Sequence, residues 1–440
     1  MNSDQRSVKL EEICAQITDG KHGDCQDEDN SGFYFISCKD VLNGKINYEK
    51  ARQITEADFI DTHRRTRLEA SDILITNSGT IGRMAIAPDN DLTRRTTFQK
   101  SVAILKPIKS QAEPGFLYYR LQSDIQRLTE YAGGTAQKNL LLRDLRAFPV
   151  ELPSLPVQRR IAGILSAYDD LIENNLRRIR ILEEMARALY REWFVHFRFP
   201  GHEKILSVAS SLGPVPQGWE VKNLESLMTD HIGGGWGKDA LDEGHAEPAW
   251  VIRGTDIPDA RYCQVTNVPH RYHSVSNLRS RHLQAGDIIF EVSGGSKGQP
   301  VGRTLFVSKE LLSAFDGDSV ICASFCKRVR PDASAYSSEL LYLSFLEGYE
   351  SGEIEQFQVQ STGISNFKWT DYILQTLRVV PPEPLQACFR ELVAPLFSQI
   401  ATLGLKTMNL RRTRDLLLPR LLSGEVSLAI ATAKPIENVA

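Results

Sequence analysis

The chain has no apolar run near the ~18 residues that a membrane helix needs, because Arg, Glu or Asp interrupts every long hydrophobic stretch. Its opening Met1-Asn2-Ser3-Asp4-Gln5-Arg6 lacks the apolar core of a secretory signal. No membrane partner is therefore expected. Cysteine is sparse, odd in number and scattered, at Cys14, Cys25, Cys38, Cys263, Cys322, Cys326 and Cys388. That pattern offers no disulfide framework and suits a reducing, cytoplasmic location. An excess of positive charge is also missing: 52 basic side chains against 55 acidic ones leave a net charge of −3. This counts against a histone-like role but leaves room for a local basic patch, because the field that matters is local.

Catalytic signatures are absent as well. Cys322-x-x-x-Cys326 has no second pair at ligand spacing and reads as core thiols rather than a zinc site. His270, His273 and His282 lie close in sequence without Cys or carboxylate at ligand spacing, so surface or hydrogen-bonding roles are expected. The glycine run within Ile232–Asp239 lacks the first glycine of a phosphate loop, and Asp239 stands where Ser or Thr would hold magnesium. It reads as a flexible loop. Val379-Val380-Pro381-Pro382 shares only its prolines with the catalytic tetrapeptide of adenine methyltransferases. No catalytic residue, metal or cofactor is expected on this chain.

What is present is a soluble globular composition, 42% hydrophobic and 24% charged, over 440 residues. That length predicts two or three domains. An internal repeat sets their organisation. Ser71-Asp72-Ile73-Leu74-Ile75-Thr76-Asn77-Ser78-Gly79 returns as Gly286-Asp287-Ile288-Ile289-Phe290-Glu291-Val292-Ser293-Gly294, at an offset of 215 (287 − 72). Gly82-Arg83 returns as Gly302-Arg303, Ile36–Asp40 as Ile252–Asp256, and Pro153…Gln158 as Pro381…Gln386, by then at an offset of 228 (386 − 158). Ordered matches with a slowly growing offset indicate duplication with small insertions.

Each copy reads as short strands and turns followed by a proline cluster that opens a long helix. In the first helix the apolar stripe runs Val157, Ile161, Ile164, Tyr168, Leu171, then shifts by one residue to Leu176, Ile179, Leu182, Ala186, Leu189 and Trp193. The second carries Leu385, Phe389, Leu392, Leu396, Ile400, Leu403, Leu410, Leu417 and Leu421, with Thr407 and Arg414 at the intervening positions. Spacing near 3.5 marks a coiled-coil seam, and the shift reads as a stutter. Pro395 is expected to kink the second helix or break its hydrogen bonds. Asn174-Asn175 reads either as a register-setting pair or as a solvated one.

The expected fold is α+β: two similar mixed α/β domains joined by two long helices packed as an antiparallel coiled coil. The domains are placed at 1–152 and 201–380, the latter with a linker at 201–218. The helices fall at 153–200 and 381–424, and a flexible tail follows at 425–440. A helix of ~40 residues is ~60 Å long, so the pair would space the two domains.

Polar loop groups recur at equivalent places in both copies. The first has Lys21, His22, Asn77, Ser78, Thr80, Arg94, Arg95, Lys100, Gln137, Lys138 and Asn139. The second has Lys238, Arg253, Ser293, Lys297, Gln299, Arg303, Thr362 and Asn366. Arg, Lys, Asn and Gln can read base edges, and Ser, Thr and Lys satisfy phosphates, so double-stranded DNA is the expected ligand. Tyr190, Trp193 and Phe194 near the end of the first helix are candidates for partner docking; core packing is the competing reading. The rival classes are a stand-alone enzyme, a DNA-binding regulator without partners, and a coiled-coil scaffold.

The pattern resembles the specificity subunit of a type I restriction–modification enzyme. The resemblance rests on Ile17–Gly23, Ile36–Val41, Asp72–Gly82, Gly134–Leu140 and Leu152-Pro153…Gln158-Arg159-Arg160-Ile161, and it covers nearly the whole chain. It implies that the two mixed α/β domains are target-recognition domains, each reading half of a split, asymmetric DNA target, and that the helices dock two methyltransferase subunits. Motor-nuclease subunits join for restriction. S-adenosylmethionine would belong to the methyltransferase subunits, and ATP with magnesium to the motor subunits.

Overall fold

The computed structural model describes residues 6–42, 44–130, 139–294, 300–361 and 364–426. The chain divides into two compact units, Met1–Asp170 with Arg411–Ala440, and Leu171–Leu410. Both long helices cross the division.

In the first unit an antiparallel sheet takes the order Cys14–Asp19, Val102–Pro107, Ile73–Thr76, Met84–Ile86. Side chains alternate across a strand, and here both faces are covered. Ile73, Ile75, Ala103 and Leu105 enter one core with Phe116, Leu117, Phe148, Ile161 and Leu165. Leu74, Val102 and Ile104 enter another with Ile36 and Phe98. A second sheet orders Arg52–Gln53, Tyr34–Ile36 and Thr96–Phe98, the last two parallel. A third pairs Arg6–Lys9 with Pro149–Leu152.

The second unit repeats this topology. Its main sheet runs Met228–Gly233, Cys326–Pro331, Ile288–Glu291, Thr304–Phe306. Its second sheet orders His270–His273, Glu247–Ile252 and Val320–Cys322, again with the last two parallel. Glu220–Asn223 pairs with Leu377–Val380. An added hairpin, Gln358–Ser361 with Ile364–Phe367, pairs with Ser293–Gly294. The stretch expected as a linker holds a hairpin, Ser207–Ser210 with Gly213–Pro216.

Matching residues do matching work. Asp72 and Asp287 both accept a backbone N–H three residues upstream, from Glu69 (2.7 Å) and Gln284 (2.8 Å). Each also holds a cation on the neighbouring strand, Lys106 (2.6 Å) and Arg330 (2.7 Å). The Pro…Gln match is a buried clamp. Gln158 accepts the Glu113 N–H (2.9 Å) and donates to the Pro153 carbonyl (2.8 Å). Gln386 accepts the Ser337 N–H (3.2 Å) and donates to the carbonyls of Pro381 (2.9 Å) and Ala335 (3.1 Å). Glu113 and Ser337 are the N-cap residues of the helices Pro114–Ser123 and Ser338–Glu350. The glutamine thus ties the start of each long helix to its own mixed domain.

The long helices are Leu155–Tyr190, continued by a π-turn at Arg191–Val195, and Glu383–Leu422. Gln158, Leu165, Ile172, Ile179, Ala186 and Trp193 are all buried, at strict seven-residue intervals. The expected stutter does not occur: Leu171 is 52% exposed, and Ile172 takes the seam. In the second helix Gln386, Val393, Ile400, Thr407 and Leu421 are buried in the same heptad phase, while Leu392 is exposed. Pro395 does not interrupt the helix, which is unbroken across it. It sits on the exposed side, so its ring lies away from the seam. Asn174 is solvated and Asn175 half-buried. Within the second unit, Trp193 meets Phe389 (centroids 5.5 Å apart) and Ile179 meets Ile400 and Leu403, so the two helices run antiparallel there. In the first unit, Ile161 and Leu165 near the start of one helix share a core with Leu421 and Leu422 at the end of the other.

Candidate nucleic-acid interface

Both units gather loops by the same backbone hydrogen bonds. In the first, Gly20 N–H donates to Val102 (3.1 Å), Lys21 N–H to Phe98 (2.9 Å), Gln99 N–H to Ile36 (2.9 Å) and Asn77 N–H to Ser101 (3.0 Å). In the second, Gly234 donates to Cys326 (2.9 Å), Gly235 to Cys322 (2.9 Å), Ala323 to Ile252 (2.9 Å) and Val292 to Phe325 (2.9 Å). A Cβ on Gly20 would lie 1.9 Å from the Phe98 oxygen, and one on Gly234 2.1 Å from the Cys322 oxygen. Only glycine permits this approach. The glycine run at Ile232–Asp239 is therefore no flexible loop: it continues a strand and is pinned by its neighbours.

In the first unit this frame brings together Lys21, His22, Ser78, Thr80, Lys100 and Asn139, with Ser78 and Asn139 bridged as strand partners. Lys21 is held by Asp58 (3.2 Å) and Asp61 (3.3 Å). His22 contacts Asp19 (2.8 Å), which also accepts from Arg65 (2.6 Å). Thr80 and Lys100 are exposed. Lys39 and Arg83 join them, although sequence reasoning did not single them out. Cys38 N–H donates to Ser101 Oγ (3.2 Å), and Arg83 donates to the Cys38 carbonyl (3.4 Å), which places both cations beside the Lys100 turn. Their place inside the repeated segments Ile36–Asp40 and Gly82-Arg83 was the available signal.

Several expected readers have other occupations. Asn77 is 7% exposed, and its Oδ1 is buried without a hydrogen-bond partner among the described residues. Arg94 pairs with Asp89 (2.7 Å) and Asp91 (2.9 Å) on a surface helix; Arg95 next to it is exposed. Arg253 closes a bidentate pair with Asp256 (2.7 and 2.9 Å) and reaches the Asn267 carbonyl, which caps a turn. Arg303 pairs twice with Glu291, which is 1% exposed. Hydrogen bonding to these carboxylates holds both guanidiniums above the usual arginine range. Ser293 is buried and donates to Asn366 Oδ1 (2.8 Å). Lys238 pairs with Asp242. Arg94, Arg253, Arg303, Ser293, Asn366 and Lys238 are matched within the protein, so direct base reading by Arg253, Arg303 or Ser293 would first require a structural bond to break. Gln137, Lys138, Lys297, Gln299 and Thr362 lie outside the described residues.

The aromatic trio is corrected outright. Tyr190, Trp193 and Phe194 are each 6% exposed and belong to the core of the second unit with Phe389, Phe199 and Trp219. The π-turn at Arg191–Val195 places neighbouring positions inward together, so they offer no docking face. Cys322 and Cys326 are free, fully buried thiols, and burial pushes Cys322 up to about 12. Among the described residues, no group of three or more His, Cys, Asp or Glu is placed to hold a metal ion, and no helix is long and apolar enough to cross a membrane.

Residues 2–184 match the type I restriction modification DNA specificity domain. The chain is 27% identical over 401 residues to the MjaIX type I restriction enzyme specificity subunit of Methanocaldococcus jannaschii, spanning 89% of this chain and 86% of that one. It is 21% identical to the HindI specificity subunit of Haemophilus influenzae, over 89% of this chain and 94% of the relative. The S subunit of a type I restriction–modification system from M. genitalium shares the fold, with a TM-score of 0.59 at 14% identity over 96% of this chain and 97% of that one. The duplicated frame, the paired helices and these end-to-end likenesses converge: over most of its length the chain resembles the specificity subunits of type I restriction–modification enzymes.

Proposed function

We propose that this chain supplies the address for a type I restriction–modification complex and no chemistry of its own. Each recognition domain reads one half of a bipartite duplex target. The observation that carries this reading is one backbone frame built twice with different side chains on it: Lys21 against Gly235, Lys100 against Ser324, Ser101 against Phe325. A common frame suits the common shape of duplex DNA, and unlike side chains suit unlike half-sites, so the target is non-palindromic. The long helices dock two adenine methyltransferase subunits, which bind S-adenosylmethionine, and motor-nuclease subunits bring ATP and magnesium for restriction.

Methylome sequencing of cells with and without this chain, alongside its methyltransferase partner, tests the reading. A split, asymmetric adenine motif that vanishes with the chain is the expected result. An unchanged methylome, with the partner expressed and bound, refutes it in favour of a regulator.

A further inference from the structure

The shared frame allows the two faces to be compared residue by residue. In the first unit a turn closed by Val102 N–H on the Gln99 carbonyl (3.0 Å) presents Lys100 and Ser101. In the second, a turn closed by Cys326 N–H on the Ala323 carbonyl (2.8 Å) presents Ser324 and Phe325. Lys39 corresponds to Thr255, because Asp40 and Asp256 cap the same turn through Ser37 N–H (2.7 Å) and Arg253 N–H (2.9 Å). Arg83 corresponds to Arg303, because their carbonyls accept from Thr76 (2.8 Å) and Glu291 (2.9 Å).

The charges differ at these matched places. Glu291 neutralises Arg303. Its counterpart Thr76 spends its hydroxyl on the Thr80 carbonyl, and among the described residues the Arg83 guanidinium donates only to the Cys38 carbonyl. Lys39, Arg83 and Lys100 have no carboxylate partner among the described residues. The second face holds Thr255, the neutralised Arg303 and Ser324 there. It shows aromatic surface instead: Phe325 is 59% exposed, and Trp236, beside the pinned Gly235 and stacked by the Asp239-paired Arg271 (4.5 Å), is 41% exposed. Phe325 is no fraying tip, because its carbonyl accepts N–H groups from Val292 (2.9 Å) and Ser293 (3.2 Å).

Resting on the DNA-reading function above, we infer that the two recognition faces divide the work. The first anchors the duplex through phosphates, using Lys39, Arg83 and Lys100. The second sets Phe325 against the bases of its half-site. Cations bound to phosphate release counterions and make affinity salt-dependent without reading sequence. An apolar ring gains by meeting thymine methyls or a base step, and it adds no salt dependence.

The test uses the full chain assembled with its modification partner, on a duplex carrying the motif found by methylome sequencing. The triple variant K39Q/R83Q/K100Q should lower the slope of log affinity against log salt by about 2.7, at about 0.9 per phosphate contact. Between about 50 and 200 mM salt it then loses about 40-fold less affinity than the wild type. Phe325→Ala should weaken binding about tenfold or more with the slope unchanged, and should blunt discrimination in one half-site alone. An unchanged slope in the triple variant, or Phe325→Ala with wild-type affinity or an altered slope, overturns the division of work. A wild-type complex that shows no sequence-specific binding overturns the DNA-reading function itself. Unfolding midpoints equal to wild type confirm that both variants remain folded, as expected when Lys39, Lys100 and Phe325 are exposed and the half-buried Arg83 gives up a single hydrogen bond.

Discussion

The clamp at Gln386 offers a sharp test of how the recognition domain is fixed to its helix. Gln386→Leu keeps the approximate volume but removes every hydrogen bond of the side-chain amide. Three bonds go, to Ser337 N–H, Pro381 O and Ala335 O, and Gln386 is only 8% exposed, so water cannot replace them freely. At about 1 kcal/mol for each bond, with an extra cost for the stranded Ser337 N–H, the loss is about 3–4 kcal/mol. For a unit of this size, each kcal/mol lowers Tm by about 2–4 °C, so a fall of about 6–16 °C is expected. Urea unfolding of the full chain measures the energy, and hydrogen exchange locates it at the start of Ser338–Glu350 and of Glu383–Leu422. Gln386→Glu isolates the donor half, because at neutral pH it can accept from Ser337 but cannot donate to either carbonyl. A Leu variant that loses less than about 1 kcal/mol, or a Glu variant as stable as wild type, refutes the clamp.

Three further outcomes are expected. Thr407 is fully buried in the seam, with Oγ1 unpartnered among the described residues, so the near-isosteric Thr407→Val should raise stability by about 1–2 kcal/mol in urea unfolding. Burial pushes His63 and His273 below the ordinary histidine value of 6.5, so the unfolded chain takes up their protons first as pH falls. Stability should hold above that value and decline below it, and the double variant H63N/H273N should show a flatter urea midpoint between about pH 7 and about pH 5; an unchanged profile removes the histidines as the cause. Inserting one heptad between Leu176 and Leu189 keeps the seam in phase and should lengthen the unread spacer of the methylation motif while both half-sites stay as they were.

The duplication was legible in the sequence because its signals are local. Asp72 and Asp287, or Gln158 and Gln386, hold the backbone through bonds that only those side chains make, so they recur in both copies. The helices were equally legible, but their register was not. Leu171 beside Ile172, and Leu392 beside Val393, are apolar pairs that satisfy a helical stripe about equally well; packing from the other helix chose the second of each pair. The site was read least well. A polar residue in a loop looks available until its partner is known, and the partners of Arg303 and Arg253 are carboxylates whose pairing depends on the fold. Arg83 illustrates the converse. It stood in a matched pair with Arg303, and what distinguishes the two is the change from Thr76 to Glu291 on the strand opposite.

Each recognition domain begins and ends on one pair of strands, Arg6–Lys9 beside Pro149–Leu152 and Glu220–Asn223 beside Leu377–Val380. Adjacent strands lie about 4.8 Å apart, so the chain enters and leaves each domain at nearly the same point. A segment closed in this way behaves as a cassette. Recombination can exchange it for one with other loops while the same helix start receives the returning chain. A lineage can thereby acquire a new set of loops in a single event, with both long helices passed on unaltered.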